Sequence, residues 1–467
     1  MEDKNKLRTE KIFKLLISLA IPSIVAQLVN ILYNMVDRIY IGHIENAGNA
    51  MASLSVALPI ITLITAFTNL IGSGGAPLCA ISLGKQDKQK AEEIMTTSFV
   101  MLIFLGVILT LMVLVFKEQI LYLFGATNET IEDAVTYTTI YACGTLFVQI
   151  SLGMNAYINT QGFAKISMIT VLIGALLNIV LDPLFIFVFD MGVSGAALAT
   201  IISQGVSALW VLKFLFGKKT TIKLRKKYLK IKPKTVLSIA ALGFSPFVMT
   251  STESILQICF NNQLSNYGGT VAVASMAIFL SAFQFVQMPL LGLCQGAQPI
   301  LSYNYGAGDF ARVRKTFKLV FSICLSFCFV FCVLFMVFSK QLVSIFTSDA
   351  KTIEFATWGL RVYLFGMVIF GMQISCQHSF VALGQAKLSI IMAVLRKVVL
   401  LIPLIYVLPY VLGGSQFAYF ISDPINHLAN DAGRVFCVLF AEPIADFTAA
   451  IVTSISFALF YKKSLKP

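Results

Sequence analysis

The sequence predicts an all-α polytopic membrane protein with twelve transmembrane helices in two six-helix repeats. Three observations support this fold class: an apolar composition, apolar runs long enough to cross a bilayer, and an internal repeat. Hydrophobic residues make up 58% of the 467 residues and charged residues only 12%, which is about half the charged share of a soluble domain. The composition therefore favours a chain that lies largely within lipid.

Apolar runs recur along the whole chain, and a helix of roughly 20 apolar residues is long enough to span a bilayer. The runs are continuous rather than alternating, which favours helices over a transmembrane barrel. The first run is too long for a signal peptide and is expected to be the first span. In order, the predicted spans cover residues 14–41, 51–83, 95–116, 134–159, 166–189, 193–216, 236–265, 270–303, 317–346, 355–382, 388–412 and 435–461.

The uneven distribution of Lys and Arg between loops predicts the orientation of the chain. The formal net charge is +13, and the basic residues cluster at the two ends and in alternate loops, above all at 214–234. Basic loops face the cytoplasm, so both termini and this linker are predicted to be cytoplasmic. The basic residues of the linker are expected only to keep it on the cytoplasmic side, and docking of the linker on anionic lipid is the alternative. This distribution explains the net positive charge, so no nucleic-acid partner is expected. Membrane lipids are expected to surround the chain.

Two stretches of the first half recur in the second half. GSGGAPLCAISLGKQD at 72–87 matches LCQGAQPILSYNYGAGD at 293–309, and TQGFAKISMI at 160–169 matches ALGQAKLSII at 382–391. Gly84 aligns with Gly306, an offset of about 222 residues. Six spans per repeat leave both halves in the same orientation. The predicted organisation is an N-terminal six-helix lobe at 1–213, a basic cytoplasmic linker at 214–234, and a C-terminal six-helix lobe at 235–467 with an extracellular insert at 413–434.

Polar side chains form one stripe on each of four predicted spans. Because polar groups are costly in lipid, the stripes are expected to face inward and line one central cavity; hydrogen bonds between helices are the alternative. Within the stripes, Glu253 is predicted to attract a cationic group, with a structural hydrogen bond as the other interpretation. The predicted cavity residues are Asn34, Thr65, Asn69, Glu253, Gln257, Gln284, Gln287 and Gln295.

Five acidic residues lie inside apolar runs, where a carboxylate marks an ion or substrate pathway by default. Asp37 and Asp182 have no acidic counterparts in the second half, and Asn178 lies one helical turn before Asp182. A pair of nearby buried carboxylates suits reversible protonation. With Asn oxygens nearby it also suits a hard cation such as Na⁺. Glu442 and Asp446 flank Pro443 and are expected to be structural, as partners of backbone groups.

The chain resembles the multidrug and toxic-compound extrusion (MATE) family over nearly its whole length. The resemblance rests on NMVDRIYIG at 34–42, LDPLFIF at 181–187 and AEPIAD at 441–446. It implies a V-shaped, two-lobe, monomeric transporter of the cell membrane that exports organic cations in exchange for H⁺ or Na⁺ and needs no cofactor. It also implies a kink or hinge at Pro22. The implied cation site consists of Asp37, Asn178, Asp182 and Thr200, with Na⁺, where Na⁺ is used, at Asp37 and Asp182.

Two other functions remain as alternatives. A flippase for lipid-linked saccharides shares the broad architecture, but its anionic substrates call for a cavity lined with Arg and Lys, whereas the stripes here carry Gln, Thr, Asn and acids. A polytopic membrane enzyme would need a nucleophile with a base or a set of metal ligands, and neither HExxH nor GxSxG occurs. The chain is therefore expected not to be an enzyme. The insert at 413–434 is interpreted as a surface insertion, with a flap over the cleft as the alternative.

Overall fold

The computed structural model describes residues 6–44, 47–229 and 231–465. Both chain ends and one residue of the basic linker, Lys230, therefore lie outside the described residues. Within the described residues there are helices and connecting turns but no strand. The main helices are α1 Ile12–Ile41, α2 Ala47–Gly84, α3 Lys88–Leu123, α4 Ile131–Cys143, α5 Thr145–Thr160, α6 Ala164–Val188, α7 Gly192–Phe216, α8 Pro233–Gly306, α9 Phe310–Phe346, α10 Ala350–Ala382, α11 Ala386–Val411, α12 Gln416–Ser422 and α13 Ala432–Ser464.

The helices account for the predicted membrane spans. In the described part of the chain, ten helices are long and apolar enough to cross a membrane, and α4 with α5, bent by 54°, makes an eleventh. Helix α8 is 74 residues long and contains two helices joined at Gly269, whose φ is 69°. A positive φ is readily adopted by glycine, which has no Cβ. Division of α8 at this residue gives the twelve predicted spans, so the prediction of an all-α polytopic membrane protein is confirmed.

The internal repeat is visible in the backbone as well as in the sequence. Gly162 and Gly384 occupy equivalent turns between helices, with φ of 86° and 71°. Gln86 and Gly308 occupy a second equivalent pair of turns, with φ of 60° and 74°. The two halves therefore reverse direction at matching positions with the same left-handed geometry.

Contacts divide the chain into two compact units. As far as the described residues go, the first comprises Met1–Thr250, Gly292–Thr316 and Val381–Ala386, and the second comprises Ser251–Leu291, Phe317–Phe380 and Lys387–Pro467. The first unit includes helix ends from both sequence repeats, and glycines allow the backbones of two of these ends to approach closely. A Cβ on Gly84 would meet the Tyr303 carbonyl oxygen, and one on Gly306 would meet that of Ile81.

The basic linker at 214–234 is bound to the start of α3 in the first unit. Glu93 accepts a hydrogen bond from Lys232 Nζ at 2.8 Å, and Glu92 accepts one from Arg225 Nε at 3.2 Å. The hydrogen bond that Lys232 donates to the Glu93 carboxylate raises the pKa of the Lys232 ammonium. Both glutamates are only 6% exposed. Part of the positive charge of the linker is therefore neutralised by the unit against which it lies.

The insert at 413–434 is helical and belongs to the second unit. It contains α12, which packs against α13. The Trp358 indole N–H donates to the Ile421 carbonyl at 3.0 Å, and the Asp431 backbone N–H donates to the Tyr267 carbonyl at 2.9 Å. These bonds attach the insert to α10 and α8. It is therefore part of the packed second unit rather than a loose loop.

Candidate functional site

The first unit contains the predicted cation-site residues of α6 and α7 in hydrogen-bond contact. Asn178 and Asp182 are buried, with 3% and 0% exposure, and their four-residue spacing places them on one face of α6. The Asn178 amide Nδ2 donates to Asp182 Oδ1 at 3.0 Å and to Thr200 Oγ1 at 3.4 Å. One amide nitrogen therefore links the carboxylate of α6 to the threonine hydroxyl of α7.

Asp37 lies on α1, which packs along α6. Its carboxylate interacts electrostatically with that of Asp182. Among the described residues, Asp37 Oδ1, Asp182 Oδ2 and Asn178 Oδ1 are buried and have no hydrogen-bond partner. Buried acceptors in native proteins normally have a donor, and a carboxylate is an acceptor unless it is protonated. Asn178 and Asp182 are hydrogen-bonded to each other, and Asp37 interacts electrostatically with Asp182. These unpartnered oxygens favour the uptake of a proton or a cation.

A cavity of about 30 Å³ lies beside these residues and is also confined to the first unit. Asn178 and Thr200 form part of its wall, together with Asn30, Tyr33 and Gln204. A cavity of this size holds an ion or water rather than an organic drug. In the described part of the chain, no group of three or more His, Cys, Asp or Glu could hold a metal ion. Asn178 and Thr200 supply oxygens to the wall of this cavity, and Asp182 is hydrogen-bonded to Asn178. Oxygens of these kinds are the ligands that a hard cation takes.

Pro22, the predicted hinge, is a buried residue inside the continuous helix α1. Proline has no backbone N–H, so the Ser18 carbonyl lacks its usual helical donor, and the ring crowds that carbonyl. Pro22 therefore weakens the helix at a point that lies about four helical turns before Asp37, at 3.6 residues per turn. This position is suitable for a hinge that a change at Asp37 could move.

The predicted cavity residues of the first unit form hydrogen bonds of two kinds. Asn34 and Thr65 bond to the preceding turn of their own helices, at 2.7 and 3.0 Å. Asn69 Nδ2 donates to Thr250 Oγ1 at 3.2 Å, and Gln295 Oε1 accepts from Gln27 at 2.9 Å. The last two bonds connect different helices, as the alternative interpretation of these stripes expected. One central cavity shared by all eight residues stays a prediction.

The other four predicted cavity residues line one pocket of about 60 Å³ in the second unit. They come from α8, on both sides of the break at Gly269. Gln257 and Gln284 are exposed, and Gln287 is half-buried. Glu253 also lines the pocket, and its side chain is 49% exposed. The sequence thus identified residues that the fold does bring together.

The same pocket contains a network of charges that the sequence did not reveal. Arg396 Nη2 lies 2.9 Å from Glu442 Oε1 and 2.7 Å from Asp446 Oδ1, and Arg396 Nε donates to Asp446 at 2.8 Å. The guanidinium also lies 5.1 Å from the centre of the Phe370 ring. Lys397 Nζ contacts Glu253 Oε1 at 3.0 Å. Glu442 and Asp446 therefore have a charged side chain as partner, in addition to any backbone role.

Arg396 and Lys397 are the site residues that the sequence analysis missed. Both are buried, with 5% and 6% exposure, and they lie in a π-helical segment of α11, Leu395–Leu401. The available signal was the pair of basic residues within the apolar run at 388–412. Such residues in a membrane span are expected to pair with acids, and that expectation could have linked them to the unassigned carboxylates of α13.

Comparisons with known proteins agree with this architecture. The sequence model of the MatE family matches residues 22–184 and 246–407, that is, both repeats. The multidrug export protein MepA of Staphylococcus saprophyticus is 30% identical over 97% of this chain and 96% of its own length. MepA of Staphylococcus aureus strain MRSA252 is 28% identical over 92% and 95%.

Solved structures show the same fold at lower identity. A multidrug resistance MATE family transporter in an outward-facing conformation has a TM-score of 0.89 at 22% identity, with 100% of this chain and 99% of that chain covered. A MOP superfamily transporter from Pyrococcus furiosus has a TM-score of 0.88, with the same identity and coverage. Together with the family match over both repeats, these likenesses show that the chain belongs to the MatE family, whose members are multi-pass membrane transporters.

Proposed function

We propose that this protein is a cation-coupled antiporter that exports organic, mostly cationic, drugs and toxic compounds by alternating access, with H⁺ or Na⁺ as the coupling ion. The observation that carries the proposal is the group of three buried, unpartnered oxygens of Asp37, Asn178 and Asp182. The full-length similarity to proteins named multidrug export protein supports the substrate class.

Entry of the coupling ion would satisfy these oxygens and neutralise the carboxylates. Neutralisation of Asp37 changes the interactions of α1 with α6, and the weakened turn at Pro22 allows α1 to respond. If the drug favours the state with empty acids, drug and ion weaken each other's binding, as thermodynamic linkage requires. A gradient of the ion can then drive export. We further propose that the protein acts as a monomer, that its termini are cytoplasmic, and that it needs no cofactor and is not an enzyme.

A flippase for anionic lipid-linked saccharides is not favoured. Such a protein would need basic side chains available to its substrate. Arg396 and Lys397 are deep within α11, but both contact carboxylates of this chain. The relatives that match over the full length are multidrug export proteins.

The test is transport by the purified protein in liposomes, with a proton gradient and a Na⁺ gradient imposed separately. Asp37→Asn and Asp182→Asn are expected to abolish ion-driven export of ethidium while the protein still folds. Asp190→Asn is the matched control, because Asp190 is exposed and has a φ of 54°, a conformation that Asn also tolerates. Export by both site variants with unchanged dependence on either gradient would exclude this site as the coupling site.

A further inference from the structure

The basic linker at 214–234 carries more positive charge than its contacts with the first unit neutralise. It contains nine Lys or Arg residues and no Asp or Glu. Glu92 binds Arg225 and Glu93 binds Lys232. The lysines of the described part of the linker that are exposed and form no salt bridge are Lys218, Lys219, Lys226, Lys227 and Lys234. These five linker lysines leave a concentrated positive charge on the surface of the first unit.

The backbone of the linker is fixed to the first unit close to these lysines. Gln161 Oε1 accepts hydrogen bonds from Thr220 Oγ1 at 2.9 Å and from the backbone N–H groups of Thr221 and Ile222 at 2.8 and 3.2 Å. Ile222 is 0% exposed and packs in the apolar core of this unit. The linker lysines are therefore presented on an ordered backbone. Such preorganisation lowers the entropic cost of binding.

The points at which the linker is attached lie at the ends of predicted spans. Gln161 lies in the turn between two of these spans, at 134–159 and 166–189. Glu92 and Glu93 lie just before the span that is predicted to begin at residue 95. A segment bound to these points lies at the level where the helices leave the bilayer. The linker lysines are therefore close to the surface of the membrane.

Exposed apolar side chains continue from the neighbouring helices into the linker. Phe216 at the end of α7 is 60% exposed, and Leu237 near the start of α8 is 70% exposed. Between them, Leu229 and Ile231 of the linker are 49% and 46% exposed. Apolar side chains beside a basic cluster are typical of segments that lie in the membrane interface. The linker thus has both the charges and the apolar groups that contact with a lipid surface requires.

Charge decides which lipids such a surface prefers. Anionic head groups attract basic segments near the membrane surface, whereas zwitterionic head groups carry no net charge. We propose that the basic linker docks on anionic phospholipids, with the linker lysines on the phosphate groups and with Leu229 and Ile231 among the upper parts of the acyl chains. Docking, the alternative interpretation of the sequence at this linker, is thereby favoured over simple retention. The proposal is independent of the exported compound and of the coupling ion.

The experiment measures which lipid lies beside the linker in a reconstituted bilayer. A cysteine at Ile231, in a Cys143→Ser background, is labelled with the fluorophore NBD. The full-length protein is placed in phosphatidylcholine vesicles that contain the same small fraction of either phosphatidylglycerol or phosphatidylcholine with a nitroxide near the top of the acyl chain. Quenching by each nitroxide lipid gives its association with the linker. We expect the anionic lipid to associate about fivefold more strongly, a factor that corresponds to about 1 kcal/mol, the contribution of one lysine.

Lys226→Gln combined with Lys227→Gln should lower this ratio to about two or less, because two charges next to the label are lost. The combination of Lys226→Arg and Lys227→Arg should preserve it. The matched control is Lys315→Gln with Lys318→Gln, which removes two exposed lysines at the start of α9 and should leave the ratio unchanged. Salt at about 1 M, where the Debye length is about 3 Å, should lower the ratio for the unaltered linker.

Each ratio compares two lipids beside the same protein, so loss of protein during reconstitution does not alter it. Equal quenching by the two lipids with the unaltered linker would overturn the proposal, and so would an equal fall of the ratio in the control variant. If neither lipid quenched the label, the linker would lie away from the bilayer, which also contradicts docking.

Discussion

Arg396 shows most clearly, at the scale of single residues, how this protein holds charge within an apolar chain. A guanidinium remains charged at physiological pH, so the two carboxylates beside it have a permanent partner. We expect Arg396→Met to destabilise the protein by about 3–5 kcal/mol, because Glu442 and Asp446 would be left buried without the guanidinium that contacts both of them. The thermal unfolding temperature of the purified protein in detergent measures this loss.

Replacement of the two acids as well should restore most of that stability. The variant that combines Arg396→Met with Glu442→Gln and Asp446→Asn contains no uncompensated charge at this position. Arg8→Met, which removes an exposed arginine, serves as the control. If Arg396→Met alone unfolded at the wild-type temperature, the network would not contribute to stability in the way described.

The sequence predicted some residues of both sites for a definite physical reason. Carboxylates in apolar runs are rare enough to be noticed, and the four-residue spacing of Asn178 and Asp182 implied one helix face. The partner of Asp446 could not be found in this way, because Arg396 is 50 positions away and the contact depends on how α11 and α13 pack. The unpartnered oxygens of Asp37 and Asp182 also required three-dimensional information, since pairing is a property of neighbours in space.

At the scale of secondary-structure elements, the linker shows how a charged loop is held in place. Glu93→Ala removes a carboxylate that binds both Lys90 and Lys232. We expect the linker to detach from α3 more often and trypsin to cleave more rapidly near Lys226 and Lys227, which are exposed. Cleavage rates of the purified protein on a gel provide the measurement. Glu118→Ala, at an exposed acid of the same helix, is the control, and equal cleavage rates for the two variants would contradict the assigned role of Glu93.

The helices themselves were largely predictable, whereas their irregularities were not. The predicted gap between 265 and 270 coincides with the break at Gly269, because the apolar run is interrupted there. The structure nevertheless joins the two spans without a loop. The π-helical segments at Leu184–Val188 and Leu395–Leu401 left no pattern in the sequence. A shifted hydrogen-bond register depends on the residues that pack against the helix, and hydropathy does not record that packing.

At the scale of the whole molecule, the orientation of the chain in the membrane is a prediction that labelling can test. We expect a cysteine at Lys226 to be protected from an impermeant maleimide in intact cells, and a cysteine at Phe420 to be labelled, because the Lys/Arg bias places the linker inside and the insert outside. Cys143 is exposed, so the experiment needs a Cys143→Ser background. Labelling at position 226 together with protection at 420 would invert the topology.

The organisation of the whole chain was predictable only to the extent that it follows the repeat. Motifs such as TQGFAK and ALGQAK carry the repeat in the sequence, and the matching turns at Gly162 and Gly384 show it in the backbone. The division into compact units could not be predicted from these motifs. It depends on backbone contacts such as that between Gly84 and Tyr303, which are a property of packing between distant segments.

The tethered cations of the second unit have an electrical consequence under the proposed mechanism. Arg396 and Lys397 are covalently part of the chain, so they cannot be carried from one side of the membrane to the other with the transported solutes. Net charge would cross only with the exported compound and with the ions taken up at Asp37 and Asp182. Each elementary charge moved through 100 mV corresponds to about 2.3 kcal/mol. For an exported compound of known charge, the current carried per transport cycle would therefore give the number of ions taken up at the first-unit site.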